Sequence, residues 1–226
     1  MAVQHSYSYS YFHLSKHKAD DAAAQAYRTL RLQALQTSPE SFSSTYEIES
    51  AYTSAEWLAR LMEEGKETLI CTATHTDVAG ATSTEWVGQL TIRGPAARSD
   101  FQLPDESGQP LPATDDEEEK WQMLSLFNAA NHRGRGIGKA LCQEAMRYIW
   151  EHRSAPTVVV RLMVRPENHA AVRVYEGLGF EVVGRCTLAE ALAANGESDL
   201  IPEDHAHDSR YSTRRGLIMM FRMPST

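Results

Sequence analysis

Cysteine is scarce in this 226-residue chain. Cys71, Cys142 and Cys186 are odd in number and widely spaced, with no CxxC or Cys/His pattern suggesting zinc. Neither a disulfide framework nor a metal site is expected; the thiols read as reduced, in a cytosolic or nuclear setting. Long hydrophobic runs are missing too. No stretch approaches the roughly 18 apolar residues of a membrane helix, and the N-terminal MAVQHSYSYSYFHLSKHK lacks a signal peptide's apolar core. No membrane partner is expected. Positive charge is short: 22 Lys and Arg face 30 Asp and Glu, for a net charge of −8. Duplex affinity comes mostly from Lys and Arg neutralising phosphates, so no nucleic-acid partner is expected. The acid surplus suits a cationic substrate better, although acidity also serves solubility alone. Repeats of 20–50 residues are absent, which excludes solenoids and propellers.

What remains is an ordinary globular composition, 42% hydrophobic and 23% charged, long enough to bury a core without staples. Tyr7–Leu14 alternates loosely as a first strand. Ala23, Tyr27, Leu30, Ala34 and Leu35 recur at helical spacing over about 19–37, with Asp20 or Asp21 as N-cap and Ser38-Pro39 as the stop. A second helix is predicted from Ser54 to near Gly65, then strands over Thr68–Thr74 and Trp86–Ile92. Residues 94–120, rich in Pro, Gly and acid, read as an exposed, mobile loop before a strand over Trp121–Asn128. The pattern then becomes regular: helix from Gly136 to about His152, buried strand Thr157–Val164, helix Asn168–Leu178, strand Phe180–Gly184 and a last strand Leu217–Met223. A second polar insertion covers about 186–215. Its His205 and His207 (EDHAHD) faintly suggest a metal cluster, but a polar loop is the simpler reading. One α/β domain over residues 1–226, with two long surface insertions, is expected.

Between the strand ending at Asn128 and the following helix lies Asn131-His-Arg-Gly-Arg-Gly-Ile-Gly-Lys-Ala-Leu141. Glycines at alternate positions let the chain turn tightly and bring N–H groups close to a ligand. The helix behind adds free N–H groups and the positive end of its dipole. Arg133, Arg135 and Lys139 concentrate positive charge there. A dinucleotide fingerprint fails because Lys139 stands at its third glycine, and a P-loop fails at Arg133 and Ala140. A basic strand–helix turn with no ligand stays open at this point. Downstream, Asn168 is a good N-cap, and Ala171, Val174, Tyr175 and Leu178 follow at helical spacing before Gly179-Phe180. A purely structural helix, with Tyr175 in the core, would need the same residues.

Together the two segments resemble the GNAT acetyltransferase superfamily. Arg133-x-x-Gly136-x-Gly138 is similar to its R/Q-x-x-G-x-G/A pyrophosphate loop. Asn168-x-x-Ala171-x-x-x-Tyr175-x-x-x-Gly179-Phe180 is similar to its second motif, in the expected order and separation. The likeness covers about 121–185 well and the N-terminal half more loosely, with RLQALQTSPESF its most familiar stretch. One departure is Asn128-Ala129-Ala130, where many members carry Val-x-Pro.

The resemblance implies a mixed, mostly antiparallel sheet of about seven strands with helices on both faces, an α+β variant of the α/β class. The fourth and fifth strands would be parallel and splayed. It implies acetyl-CoA as co-substrate and N-acetyl transfer to a primary amine within a ternary complex. Pantetheine would lie along Leu126, Phe127 and Asn128. The N–H groups of Arg133, Gly134, Arg135, Gly136, Ile137, Gly138 and Lys139 would hold the pyrophosphate. Asn168 would help hold the pantetheine arm, Tyr175 would lie at the sulfur as general acid, and a strand N–H near Leu126 or Phe127 would stabilise the oxyanion. For the base, Glu118 and Glu119 are candidates through a water; equally, the DDEEE run is a solvated acidic loop. His132 is expected to be structural or cofactor-adjacent. The amine could be a cationic small molecule, a polyamine or a lysine side chain, and a silent acyl-CoA-binding sensor or scaffold is the alternative. Oligomeric state is open.

Overall fold

In the computed structural model, residues 7–223 are described; the start of the N-terminal segment read above lies outside them. The first strand, β1, spans Tyr7–His13. Helix α1 spans Asp21–Thr37; the Asp20 carboxylate accepts from the Ala23 N–H at 2.8 Å, satisfying a free helix donor. Two helices follow, α2 over Tyr46–Ser50 and α3 over Ser54–Met62. In α3 a Thr53/Glu56 capping box closes the first turn. Strands β2 (Lys66–Thr76) and β3 (Thr82–Arg93) form a hairpin, longer at both ends than the apolar runs suggested. A short helix α4 (Arg98–Phe101) precedes β4 (Glu118–Asn128). The C-terminal half runs α5 (Ile137–His152), β5 (Thr157–Val164), α6 (His169–Glu176), β6 (Glu181–Cys186), α7 (Leu188–Ala194), α8 (Ser209–Ser212) and β7 (Gly216–Met223).

The strands form one seven-stranded sheet in the order β1-β2-β3-β4-β5-β7-β6. Only β4 and β5 are parallel, as a strand–helix–strand unit through α5 requires; the other neighbouring pairs are antiparallel. The fold is therefore the mixed α/β domain expected.

The two faces of the sheet differ in chemistry. Leu69, Cys71 and Ala73 of β2 and Leu90 and Ile92 of β3 pack with Ile137, Leu141, Cys142 and Ala145 of α5 in one apolar core. The other face is apolar where α1 and α3 cover it, through Tyr27, Trp57, Leu61 and Ile70, and again at Phe101, Val159 and Ile218 under the 94–120 stretch. Beside that cluster it is polar and still buried. Arg31 of α1 and Glu49 of α2 form an ion pair at 2.6 Å with side chains 1% and 0% exposed. Arg60 of α3 approaches the same carboxylate at 3.8 Å and bonds Glu197 at 3.2 Å. Burial disfavours both charges of the Arg31–Glu49 pair, but their mutual hydrogen bonds and attraction outweigh it. The guanidinium is held above its ordinary range and the carboxyl below.

Across the lower half of this face, Arg93, Gln122 and Arg161 stand in register on β3, β4 and β5. Arg161 is buried without a carboxylate partner, and desolvation lowers its pKa to about 10. Its Nε donates to Gln122 at 2.7 Å and its Nη1 donates to the Phe101 carbonyl and to Gln109. Arg93 donates to the Ala194 carbonyl at 3.4 Å. Each arginine thus tethers one of the two polar stretches to the sheet through helix C-terminal carbonyls, where positive charge is favoured.

Much of 94–120 is exposed, as expected, but that arrangement anchors the stretch to the sheet. Phe101 is 1% exposed and joins Val159, Cys186, Ile218 and Met220 in a third apolar cluster. Strand β4 also begins three residues before the expected Trp121, because Glu118 and Glu119 pair with Thr157 and Val158. The acidic run is therefore neither solvated throughout nor placed for catalysis. Glu118 pairs with Arg222, while Glu119 accepts from the Trp121 indole at 3.1 Å and the Ser154 N–H at 2.5 Å. Both are buried at the opposite end of β4 from the glycine turn. Helix α2 escaped the sequence reading because five residues carry too little periodicity.

Two outcomes follow. Phe101→Ala should cost about 3 kcal/mol by denaturant unfolding, the usual range for emptying a buried phenyl site; a change below about 1 kcal/mol would mean that the 94–120 stretch is not packed as described. Glu49→Gln should cost about 3 kcal/mol at pH 7, because it breaks a buried pair on one side only. Glu49 has a lowered folded pKa, so its stabilisation is complete above the unfolded value of about 4.3 and fades as pH falls through the folded value. The gap between wild type and variant should narrow in urea melts below pH about 4, and a pH-independent gap would contradict the ion pair.

Candidate active site

The pairing of β4 with β5 ends at Met123 opposite Leu162, yet β4 continues to Asn128 and β5 to Val164. The strands part, and no strand covers the β5-facing backbone of residues 124–128. Buried backbone groups need partners, so such an opening calls for water or a ligand. On the other edge of β4, Gln89 faces Phe127 and Thr91 faces Leu124, so Ser125 and Leu126 together oppose Leu90 alone. This is a β-bulge. Ser125 has φ 58°, the sole positive φ outside glycine among the described residues.

The opening leads directly to the glycine turn. Gly134 and Gly136 have φ of 74° and 79°, a region that strains any side chain with a Cβ. A Cβ added at either would meet nothing within 4 Å, so the space above both is free. Gly136 is the N-cap of α5 and supplies no capping side chain, which leaves N–H groups of the first turn for an anion. Arg133, Gly134, Arg135, Gly136 and Lys139 are exposed, while Ile137 and Gly138 are buried behind them. These residues fit a phosphate-bearing ligand.

The departure at Asn128 has a structural counterpart. With its amide turned to suit both neighbours, the nitrogen donates to the Phe127 carbonyl at 2.9 Å and the oxygen accepts from the Gly138 N–H at 3.0 Å. One side chain thus ties the strand end to the start of α5. Phe127 is buried on the polar face, 6.4 Å from the Phe42 ring and 5.9 Å from the Arg133 guanidinium. Leu126 points the other way, toward Gly138. Arg133 also donates to the Asn128 carbonyl at 3.3 Å and to Ser38 at 2.9 Å, and Arg135 lies 5.8 Å from the Tyr7 ring. His132 is 4% exposed and shares a 3.0 Å hydrogen bond with the Tyr9 hydroxyl.

Across the opening, Asn168 caps α6 by accepting from the Ala171 N–H at 3.2 Å, and its amide donates to Ser41 at 3.3 Å. Tyr175 is 7% exposed, packs 5.9 Å from the Phe180 ring and belongs to the same apolar core as α5. Burial, with the neighbouring Cys142, raises its pKa, so the phenol stays protonated at neutral pH. The three cysteines are free and buried. His205 and His207 lie in a short turn of the second insertion, where His205 bonds the Pro202 carbonyl.

Sequence reasoning missed the polar wall next to the opening. Ser125 accepts from Arg31 at 3.3 Å, and Arg31 lies 4.7 Å from the Phe42 ring. Ser43 donates to Glu197 at 2.9 Å, bridging the segment after α1 to the second insertion. Gln89, on the Phe127 side of β3, is 0% exposed, and neither atom of its amide has a partner. The available signals were a serine inside an apolar strand and an arginine on the apolar stripe of α1.

Solved structures with this fold cover nearly the whole chain. An acetyltransferase of the GNAT family from Streptococcus pneumoniae is 15% identical, with 96% of this chain and 100% of that one aligned at a TM-score of 0.55. Arabidopsis thaliana NAA60 in complex with acetyl-CoA is 16% identical, covering 96% and 99%, at 0.52. The ribosomal-protein-alanine N-acetyltransferase from Brucella melitensis is 17% identical, covering 95% and 99%, at 0.51. At such identities the likeness concerns the fold. Comparison with curated protein sequences returns no match. The profile of the acetyltransferase (GNAT) family matches residues 33–180, more than half of the sequence. The chain belongs to the GNAT acetyltransferase family.

Proposed function

We propose that the protein transfers the acetyl group of acetyl-CoA to a primary amine, by direct attack within a ternary complex. The observation that carries this reading is the opening between β4 and β5, which runs into a glycine turn with free space above it at the N-terminus of α5. Pantetheine lies along Leu126, Phe127 and Asn128, extending the sheet where β5 has turned away. The N–H groups left free between Arg133 and Lys139 hold the pyrophosphate, that of Gly138 being taken by Asn128, and Asn168 holds the pantetheine arm on the other side. A neutral amine then attacks the thioester carbon, forming the C–N bond; the C–S bond breaks and CoA leaves as a thiol.

Two protons have to move: the substrate ammonium gives one to bulk water before attack, and the attacking nitrogen gives up a second, which restores the Tyr175 phenol after it has protonated the leaving thiolate. An alkylamine has a pKa of about 10, so only roughly one molecule in a thousand is nucleophilic at pH 7. The leaving thiolate, with a pKa of about 8.5 if it behaves like cysteine, gains from a donor, and Tyr175 supplies that proton. A strand N–H at Leu126 or Phe127 stabilises the oxyanion. The acceptor enters from the polar face, between the segment after α1 and the second insertion. The protein's acidity suits a cationic acceptor, whether a small molecule, a polyamine or a lysine side chain. Among the described residues no helix is long and apolar enough to cross a membrane.

A silent acyl-CoA-binding scaffold is the second reading. It draws on Tyr175, whose ring is committed to the core. Thiol release from acetyl-CoA across an amine panel separates the two. The enzyme reading expects turnover, and Tyr175→Phe should lower kcat about 100-fold with little change in the KM for acetyl-CoA, as loss of a general acid does. Unchanged turnover in that variant would remove Tyr175 from the mechanism. Tight binding without turnover on any amine would favour the scaffold.

A further inference from the structure

We infer that Arg31, locked on Glu49, is a positioning residue: it holds the Ser125 bulge of β4 and thereby the backbone that meets the acetyl group. The inference rests on the acetyltransferase reading above.

The geometry leaves β4 short of support where the chemistry would occur. Beyond Met123 it has no partner on the β5 side, and on the β3 side two residues share the space opposite Leu90. Ser125 adopts φ 58° there, and a strained residue of this kind persists only where its surroundings over-determine it. The support comes from below. The Ser125 hydroxyl accepts from Nη1 of Arg31 at 3.3 Å.

Arg31 is itself immobile. Its Nε donates to one Glu49 oxygen at 2.9 Å and its Nη2 to the other at 2.6 Å, while the Phe42 ring lies against the guanidinium at 4.7 Å. A planar fork paired in this way is fixed in orientation, and of its three remaining N–H donors one on Nη1 meets Ser125. Arg31 does not touch the acetyl group. It acts through Ser125, next to Leu126 and Phe127, one of which offers the N–H at which negative charge develops.

The test compares substitutions at Ser125. Glycine keeps the left-handed backbone and loses the acceptor, alanine loses both, and asparagine tolerates positive φ and can accept from Arg31. The readouts are kcat with the best amine, the KM for acetyl-CoA, the ratio of acetyl-CoA to CoA affinity by calorimetry, and thermal melting. Ser125→Gly and Ser125→Ala should each lower kcat about ten-fold or more with the KM little changed, and should lower the affinity ratio. Ser125→Asn should restore most of both, and melting close to wild type would exclude unfolding as the cause. Wild-type kcat and affinity ratio in Ser125→Gly would overturn the positioning role while leaving the enzyme reading intact. A wild-type protein that neither turns over an amine nor binds acetyl-CoA would overturn that reading, and the positioning role with it.

Discussion

Two parallel strands that pair for six residues and then part impose most of what is distinctive here. Parallel pairing holds β4 to β5 from Glu118–Thr157 to Met123–Leu162 and stops. Past that point β4 has to keep its course without one neighbour, while its open edge stays polar and unsatisfied by any strand. Each further feature of the site answers that problem. The bulge at Ser125 redirects the strand, Asn128 ties its end to α5, and Arg31 supports the bulge from the polar face. The opening so maintained has the shape and hydrogen-bonding character of a missing strand, which an extended amide-bearing chain such as pantetheine can replace.

The same division explains the contrast between the faces. Under α5 the sheet is close-packed and apolar, which makes the helix N-terminus a rigid platform for the glycine turn. The opposite face buries arginines, carboxylates and amides whose desolvation only specific partners can offset. Arg31 and Arg60 satisfy Glu49 and Glu197; Arg93 and Arg161 meet helix-end carbonyls instead. A face built this way is costly as core, and Gln89, buried with both amide atoms unpaired, adds to that cost.

Much of the fold was legible because its signals are local. Helical spacing gave α1, α5 and α6, while the continuous apolar run TVVVRLMV gave β5. The glycine turn was legible for a physical reason: glycine takes the backbone angles found at Gly134 and Gly136 without strain. What stayed hidden depends on distant partners. Nothing near Arg31 in sequence announces Glu49, eighteen residues on, and nothing near Ser125 announces a helix that begins about a hundred residues earlier. The acidic run misled because composition reports charge and not location. Glu118 and Glu119 read as solvent-facing, yet Arg222 and the Ser154 N–H draw them into the sheet. Phe101 was lost among prolines and acids, although a lone aromatic in a polar stretch commonly marks where it docks.

Amide hydrogen exchange with and without acetyl-CoA tests the central claim most directly. Occupation of the opening between β4 and β5 predicts slowed exchange confined to the free N–H groups of residues 124–128 and 133–139, with no such effect from ATP or NAD. Protection elsewhere, or none at saturating acetyl-CoA, would contradict the account.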